Sequence, residues 1–333
     1  MRRYGPVFVL FALAPLVAEL LFGATPVSRI GGLLPESLLY GGGAVLIREL
    51  ARRRGGGWGR IALLGAAYAI VEEGLAIQSL FNPGLFNAGL VGGRALGVNW
   101  VWSQWTIGYH VVWSISIPIL LAELLFPARR AEPWLGKRGL AVVGVLYALG
   151  ALAIGAIFRL FVAPDFSAPL SLLVGAALVA AALVLLALRW PATVRRAPTE
   201  ASEGTPPAWR VGLLAALAAV AWFALLDLPH ALREGALALL PMLAALALAA
   251  ALVWLIRRWS APGRRWTELH RLALASGALP ISMLFGFFFV TAGSPVDQIG
   301  QGVVSLVAIG LLGWLAWRLR RRGARLAAAA HAT

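Results

Sequence analysis

Cysteine is absent from the 333-residue chain. That absence removes disulfides, thiol nucleophiles and Cys-ligated metal centres at once. Lysine occurs once, at Lys137, against 28 arginines, and there are only four histidines. Charge of either sign is scarce. Asp, Glu, Lys and Arg make up 13% of the residues, where soluble domains carry about 25%. The net charge of +15 does not point to nucleic acid, because the arginines form no single basic face. They sit in short clusters between apolar runs, and 60% of the chain is hydrophobic. Each membrane span needs roughly 20 apolar residues, and runs of that length recur from end to end. The expected fold class is therefore all-α, a polytopic transmembrane helix bundle whose partner is the lipid bilayer. The Arg-, Ala- and Gly-rich composition suits a bacterial genome of high GC content.

Helices are expected at about 6–23, 34–50, 60–80, 100–126, 139–160, 168–189, 210–226, 233–256, 271–292 and 298–317. Met1-Arg2-Arg3 before an apolar run has the start of a signal peptide. The run from Pro6 to Gly23 is long for an h-region and carries Glu19, so a retained first helix is expected. In the second helix, Gly41, Gly42 and Gly43 read as an interruption. Placing the N-terminus inside and alternating puts 25 basic residues on the inner side and four on the outer side. The four are Arg29, Arg94, Arg159 and Arg233. This bias sets both termini in the cytoplasm of a multi-pass cell-membrane protein. Trp58, Trp134, Trp190, Trp209, Trp254, Trp259 and Trp266 fall near inner boundaries, while Trp100, Trp102 and Trp105 cluster outside. Most read as interfacial anchors.

Residues 190–209 are rich in Pro, Ala, Thr and Glu and read as a flexible cytoplasmic linker. It separates a six-helix unit, 1–189, from a four-helix unit, 210–317, followed by a basic tail, 318–333. Leu16–Phe22 and Leu120–Phe126 echo each other in sequence. They lie at opposite ends of their helices, as an inverted three-plus-three repeat would place them. Leu/Ala-rich chains also produce such echoes by chance.

Polar groups inside a bilayer are costly, so their positions are informative. They concentrate on the third and fourth helices. Glu72 and Glu73 lie mid-helix, and Gly65, Tyr68, Glu72 and Ser79 share one helical face. The fourth helix carries a polar stripe: Asn99, Ser103, Thr106, His110 and Ser114. Counting about 1.5 Å per residue from the helix ends, His110 and the two glutamates fall at similar depth. Two neighbouring carboxylates with an imidazole suit general-base activation of water, coordination of a divalent metal or proton relay across a membrane. Glu72, Glu73 and His110 are accordingly the candidates for catalysis and for metal binding. Tyr68, Ser79, Asn99, Ser103, Thr106 and Ser114 are the candidate lining. A satisfied structural network is the bland alternative. Elsewhere, Glu123 is expected to pair with Arg129 or Arg130, and Arg48 and Glu49 to pair with each other or cap their helix. Asp227, His230, Arg233 and Glu234 are expected in a solvated outer loop. Pro15, Pro118, Pro241 and Pro280 are expected to kink their helices.

A Glu-Glu pair on one membrane helix and a histidine on the next resembles the CAAX protease and bacteriocin-processing family of intramembrane endopeptidases. The gamma-secretase Aph subunit looks like a distant relative of the same fold. The resemblance covers about residues 60–120 and rests on Glu72, Glu73 and His110. The chain departs from the family pattern in three places. Ile77 stands at the arginine position, Thr106 stands at the aromatic position before the histidine, and no second membrane histidine follows. The resemblance implies cleavage of a membrane-embedded peptide by water activated at Glu72 or Glu73, assisted by His110. It is equally compatible with a catalytically inactive scaffold. The residues themselves also allow a proton-coupled transporter or lipid-handling permease moving a small solute.

Overall fold

The computed structural model describes residues 4–90, 92–191, 204–227 and 235–331. Among these residues there are ten helices. They are α1 (Gly5–Leu20), α2 (Val27–Arg53), α3 (58–76), α4 (Trp100–Leu125), α5 (Lys137–Val162), α6 (Leu170–Arg189), α7 (Ala208–Asp227), α8 (Leu239–Trp259), α9 (Glu268–Val290) and α10 (Pro295–His331). Eight are long and apolar enough to cross a bilayer, and α1 is a shorter apolar helix. The remaining one, α3, contains Arg60, Glu72 and Glu73. Among the described residues the strands are two-residue pieces, Arg94–Ala95 and Val98–Asn99, paired antiparallel before α4. The protein is an all-α polytopic membrane bundle.

Three helices differ from their expected limits. The glycines at 41–43 do not interrupt α2, which continues through a wide five-residue turn at Ser37–Gly41 into Gly42–Arg53. Their role is close approach: a Cβ on Gly43 would lie 2.6 Å from the ring of Tyr68 on α3. Lipid offers no hydrophobic gain for helix association, so such backbone-to-ring packing carries much of the stability. Helix α3 stops at Ala76 rather than 80. The N–H of Ile77 reaches back five residues to the Glu72 carbonyl at 2.8 Å, and the chain reverses at Gln78 with a φ of 61°. Helix α10 runs on through 318–331, a stretch read from sequence as tail. Residues 192–203, most of the expected linker, lie outside the described residues, as do His230, Arg233 and Glu234.

The chain divides into two compact units. The first comprises Met1–Ala18, Gly31–Val194 and Ala221–Leu248. Its core includes Leu10, Leu39, Ile61, Ile115 and Ile119. The arginine-rich end of this unit holds a buried ion cluster. Arg48 is fully buried, donates to Glu49 at 2.9 Å and to Glu123 at 3.3 Å, and lies 3.5 Å from the centroid of the Trp134 ring. Its remaining N–H groups reach the carbonyls of Arg129, Arg130 and Glu132. Arg52 grips both oxygens of Glu123 at 2.8 Å. The partners of Glu123 are thus Arg48 and Arg52, not Arg129 or Arg130, whose carbonyls cap Arg48 instead. Trp134 is correspondingly buried rather than a lipid anchor.

The second unit comprises Glu19–Ile30, Arg195–Val220 and Ala249–Thr333. Within it α9 packs on α10. Phe22 stacks on Phe285 at 5.7 Å, and buried Gln301 donates to the Leu21 carbonyl. Asp297, in the first turn of α10, accepts from both the backbone N–H and the hydroxyl of Ser28 at 3.0 Å. A carboxylate there also suits the positive end of the helix dipole.

Candidate functional site

Both helices that carry the candidate residues depart from α-geometry where those residues sit. Wide turns with five-residue hydrogen bonds span Ile70–Ala76 on α3 and His110–Ser116 on α4. Similar turns occur at Leu16–Leu20, Ser37–Gly41, Phe158–Val162 and Gly286–Val290, so they do not by themselves mark the site. On α4 a cause is visible in sequence. Pro118 has no N–H to give the Ser114 carbonyl, and its ring crowds that carbonyl. The helix widens just ahead of it.

The widened turns bring Glu72, Glu73 and His110 into direct contact. Nε2 of His110 lies 3.0 Å from Glu73 Oε1. Nδ1 faces Ser114 Oγ at 2.9 Å and Glu72 Oε2 at 3.4 Å. One imidazole therefore lies between two carboxylates: Nε2 is hydrogen-bonded to Glu73, while Nδ1 makes its hydrogen bond to Ser114 and stands within ion-pair distance of Glu72. The other oxygen of Glu73 accepts from the Ser79 hydroxyl, and Ser79 Oγ accepts from Trp102 Nε1 at 2.9 Å. A continuous polar chain results: Trp102, Ser79, Glu73, His110, then Ser114 and Glu72. All but Trp102 are buried, with Glu72 at 1% and His110 at 4% exposure.

Aromatic rings enclose the imidazole. Tyr40 of α2, Tyr68 of α3 and Tyr109 of α4 lie 6.0, 5.8 and 5.8 Å from it, centroid to centroid. Tyr147 of α5 packs on Tyr68 at 5.9 Å. Four of the chain's five tyrosines thus gather here, which sets the site apart from random placement. Along α4 runs a ladder of stacked rings: Trp102 on Trp105 at 5.4 Å, Trp105 on Tyr109 at 5.3 Å and Tyr109 on Trp113 at 5.4 Å. The Tyr109 hydroxyl donates to the Ala18 carbonyl, and Trp105 Nε1 donates to Asp227 at 2.7 Å. Trp102 and Trp105 are therefore bonded within the protein and are not outer anchors. Asp227 is bonded and half-buried rather than solvated.

The expected lining residues divide. Tyr68, Ser79 and Ser114 lie at the centre. Ser79 serves Glu73 rather than sharing a helical face with Glu72, because α3 ends before it. Asn99 caps α4 by accepting from Trp102 N–H at 2.9 Å, and its amide donates to the Ala88 carbonyl. Ser103 and Thr106 donate to the α4 backbone, at Asn99 and Ser103. These three are buried but bonded locally. Sequence reasoning missed Tyr40, Tyr109, Tyr147 and the role of Trp102. Their signals were present: tyrosine normally seeks the interface, yet these lie within spans, and the aromatic stripe at 102, 105, 109 and 113 parallels the polar stripe one residue on.

As a metal site the grouping is poorly arranged. The two carboxylates approach different nitrogens of one ring, so their donors do not converge on a point. Among the described residues no three His, Asp or Glu side chains form a group that could hold a metal ion. A cavity of about 370 Å³ lies beside α3 and α5, lined by Val71, Leu75, Gln78, Leu152 and Arg159 among others, but none of the Glu–His groups opens into it.

Fold and site together define a multi-pass membrane protein with a buried polar centre on α3 and α4. A family model described as an uncharacterized membrane protein family matches residues 8–318, and the chain belongs to that family. No curated protein and no solved structure gives a match.

Proposed function

We propose that the protein is a proton-coupled membrane carrier whose proton-handling centre is Glu73, His110 and Glu72. The observation that carries this reading is a buried imidazole set between two carboxylates, hydrogen-bonded to Glu73 through Nε2 and within 3.4 Å of Glu72 at Nδ1. An imidazole can take a proton at one nitrogen and release one from the other. Glu73, reached through Ser79, lies on one side of the ring, and Ser114 with Glu72 lies on the other. Ionisable groups are kept inside a bilayer at a cost of several kcal/mol, which usually marks a proton or ion path. The arginine bias supports a cytoplasmic-membrane location with both termini inside. The cargo would be a small solute.

The test is a reconstituted vesicle carrying a pH-sensitive dye and an imposed pH gradient. Proton movement should fall at least about tenfold in Glu73→Gln and in His110→Ala, as expected when a relay group is removed. It should persist in Ser103→Ala, which lies outside the chain of contacts. Equal fluxes in all three variants and the unaltered protein would refute the proposal.

The intramembrane-peptidase reading draws on one contact, Glu73 to His110 at 3.0 Å, which is within reach for a general-base pair. It would be favoured by cleavage of a membrane peptide that is lost in Glu73→Gln, with no proton flux in the unaltered protein.

A further inference from the structure

The second unit contains a groove of about 450 Å³ between α7, α9 and α10. Its lining includes Trp209, Gly212, Ala216, Ala273, Ser276 and Pro280, and Arg320 is its one charged residue. On α9 the groove runs from Leu269 to Ile281, about 18 Å at 1.5 Å per residue. Half of a hydrocarbon core is about 15 Å. The groove is therefore about one leaflet long, apolar apart from Ser276, with Arg320 as its cation.

The mouth is strongly basic. The segments 204–210, 257–271 and 318–325 carry eleven arginines and a single acidic residue, Glu268. Several of these cations are engaged: Arg210 lies over Trp209, Arg318 over Trp314 and Arg321 over Trp317, and Arg322 lies 4.0 Å from Glu268. Arg320 is exposed and makes no hydrogen bond, ion pair or ring contact with any described residue. A guanidinium is well matched to phosphate oxygens. A second copy of the chain would bring the same basic rim against this one and be repelled.

We infer that this groove is a binding site for one anionic phospholipid, with its phosphate on Arg320 and an acyl chain lying along the groove over the closely packed α7–α9 seam. The site is independent of the Glu–His centre. The experiment uses the full-length protein, delipidated in detergent and offered equal amounts of dioleoyl phosphatidylglycerol and dioleoyl phosphatidylcholine. Native mass spectrometry then counts the lipid retained. Both lipids present a phosphate, but choline also brings a fixed cation against the Arg320 guanidinium, so one phosphatidylglycerol should be held over phosphatidylcholine by about tenfold. Arg320→Gln should abolish that preference. Ala273→Phe, which fills the groove, should lower retention of both lipids, and Ala216→Phe does the same from the α7 wall should the first variant misfold. Glycerol 3-phosphate, a headgroup without chains, should not compete. Equal retention of the two lipids would overturn the assignment. So would a preference that survives Arg320→Gln, competition by glycerol 3-phosphate, or a lipid-free dimer as the main species.

Discussion

Glu123→Gln separates the structural ion cluster from the candidate functional centre. Glu123 is 3% exposed and accepts from Arg48 and twice from Arg52. Glutamine keeps one acceptor oxygen but loses the charge, and its NH₂ must face a guanidinium. Breaking a buried ion pair from one side costs about 3–5 kcal/mol, because the remaining charge stays buried. Arg48 retains Glu49 at 2.9 Å and three carbonyls, so the low end applies, about 3 kcal/mol. At about 2–4 °C per kcal/mol for larger chains, the melting temperature should fall by about 6–12 °C. Size-exclusion after stepwise heating in detergent measures this directly. The control is Glu132→Gln, since Glu132 is 56% exposed and pairs only at the surface with Arg129; it should cost about 0–1 kcal/mol. A Glu123→Gln protein melting within about 2 °C of the unaltered one would refute the assignment of this cluster as a structural clamp.

Two further outcomes are expected. Gly43→Val would drive a Cβ into the Tyr68 ring, 2.6 Å away in the present geometry; overpacking of this kind costs about 1–3 kcal/mol, so the variant should melt lower and carry less proton flux, as read by the heating and dye assays. A reporter enzyme inserted between residues 190 and 209 should be active only in its cytoplasmic form, and activity confined to the outer side would invert the proposed orientation.

Much of the fold was legible because lipid imposes a simple rule on sequence. Apolar runs of span length point to ten helices; among the described residues eight are long and apolar enough to span, α1 is shorter, and α3 carries Arg60, Glu72 and Glu73. The limits that failed did so for local reasons. Glycines 41–43 look like helix breakers by propensity, yet in a membrane bundle they serve contact with Phe11, Tyr68 and Tyr147. Helix α3 was drawn too long because nothing in its composition announces the reversal at Gln78. At the centre, depth counting brought Glu72, Glu73 and His110 to one level, and the structure joins them. A 3.6-residue net assigned Ser79 to the wrong glutamate, since it assumes an unbroken helix. The partners of Glu123 were also hidden: Arg48 and Arg52 lie about 70 residues away in sequence, and local spacing favoured the nearer Arg129 and Arg130. Of the four tyrosines only Tyr68 is legible from sequence, because Tyr40, Tyr109 and Tyr147 sit on other helices and only packing collects them.

The wide turns at 70–76 and 110–116 have a mechanical consequence. Each stores one residue more than an α-helical turn would hold, a dislocation that can be gained or lost without unfolding the helix. Returning either segment to regular α-geometry would rotate the side chains on one side of it by about 100° relative to the other, one residue's worth of helical turn. The meeting of His110 with both glutamates is therefore a phase relationship between two helices. It survives only while both dislocations stay where they are, and shifting one of them would part the ring from its carboxylates with little movement of either helix axis.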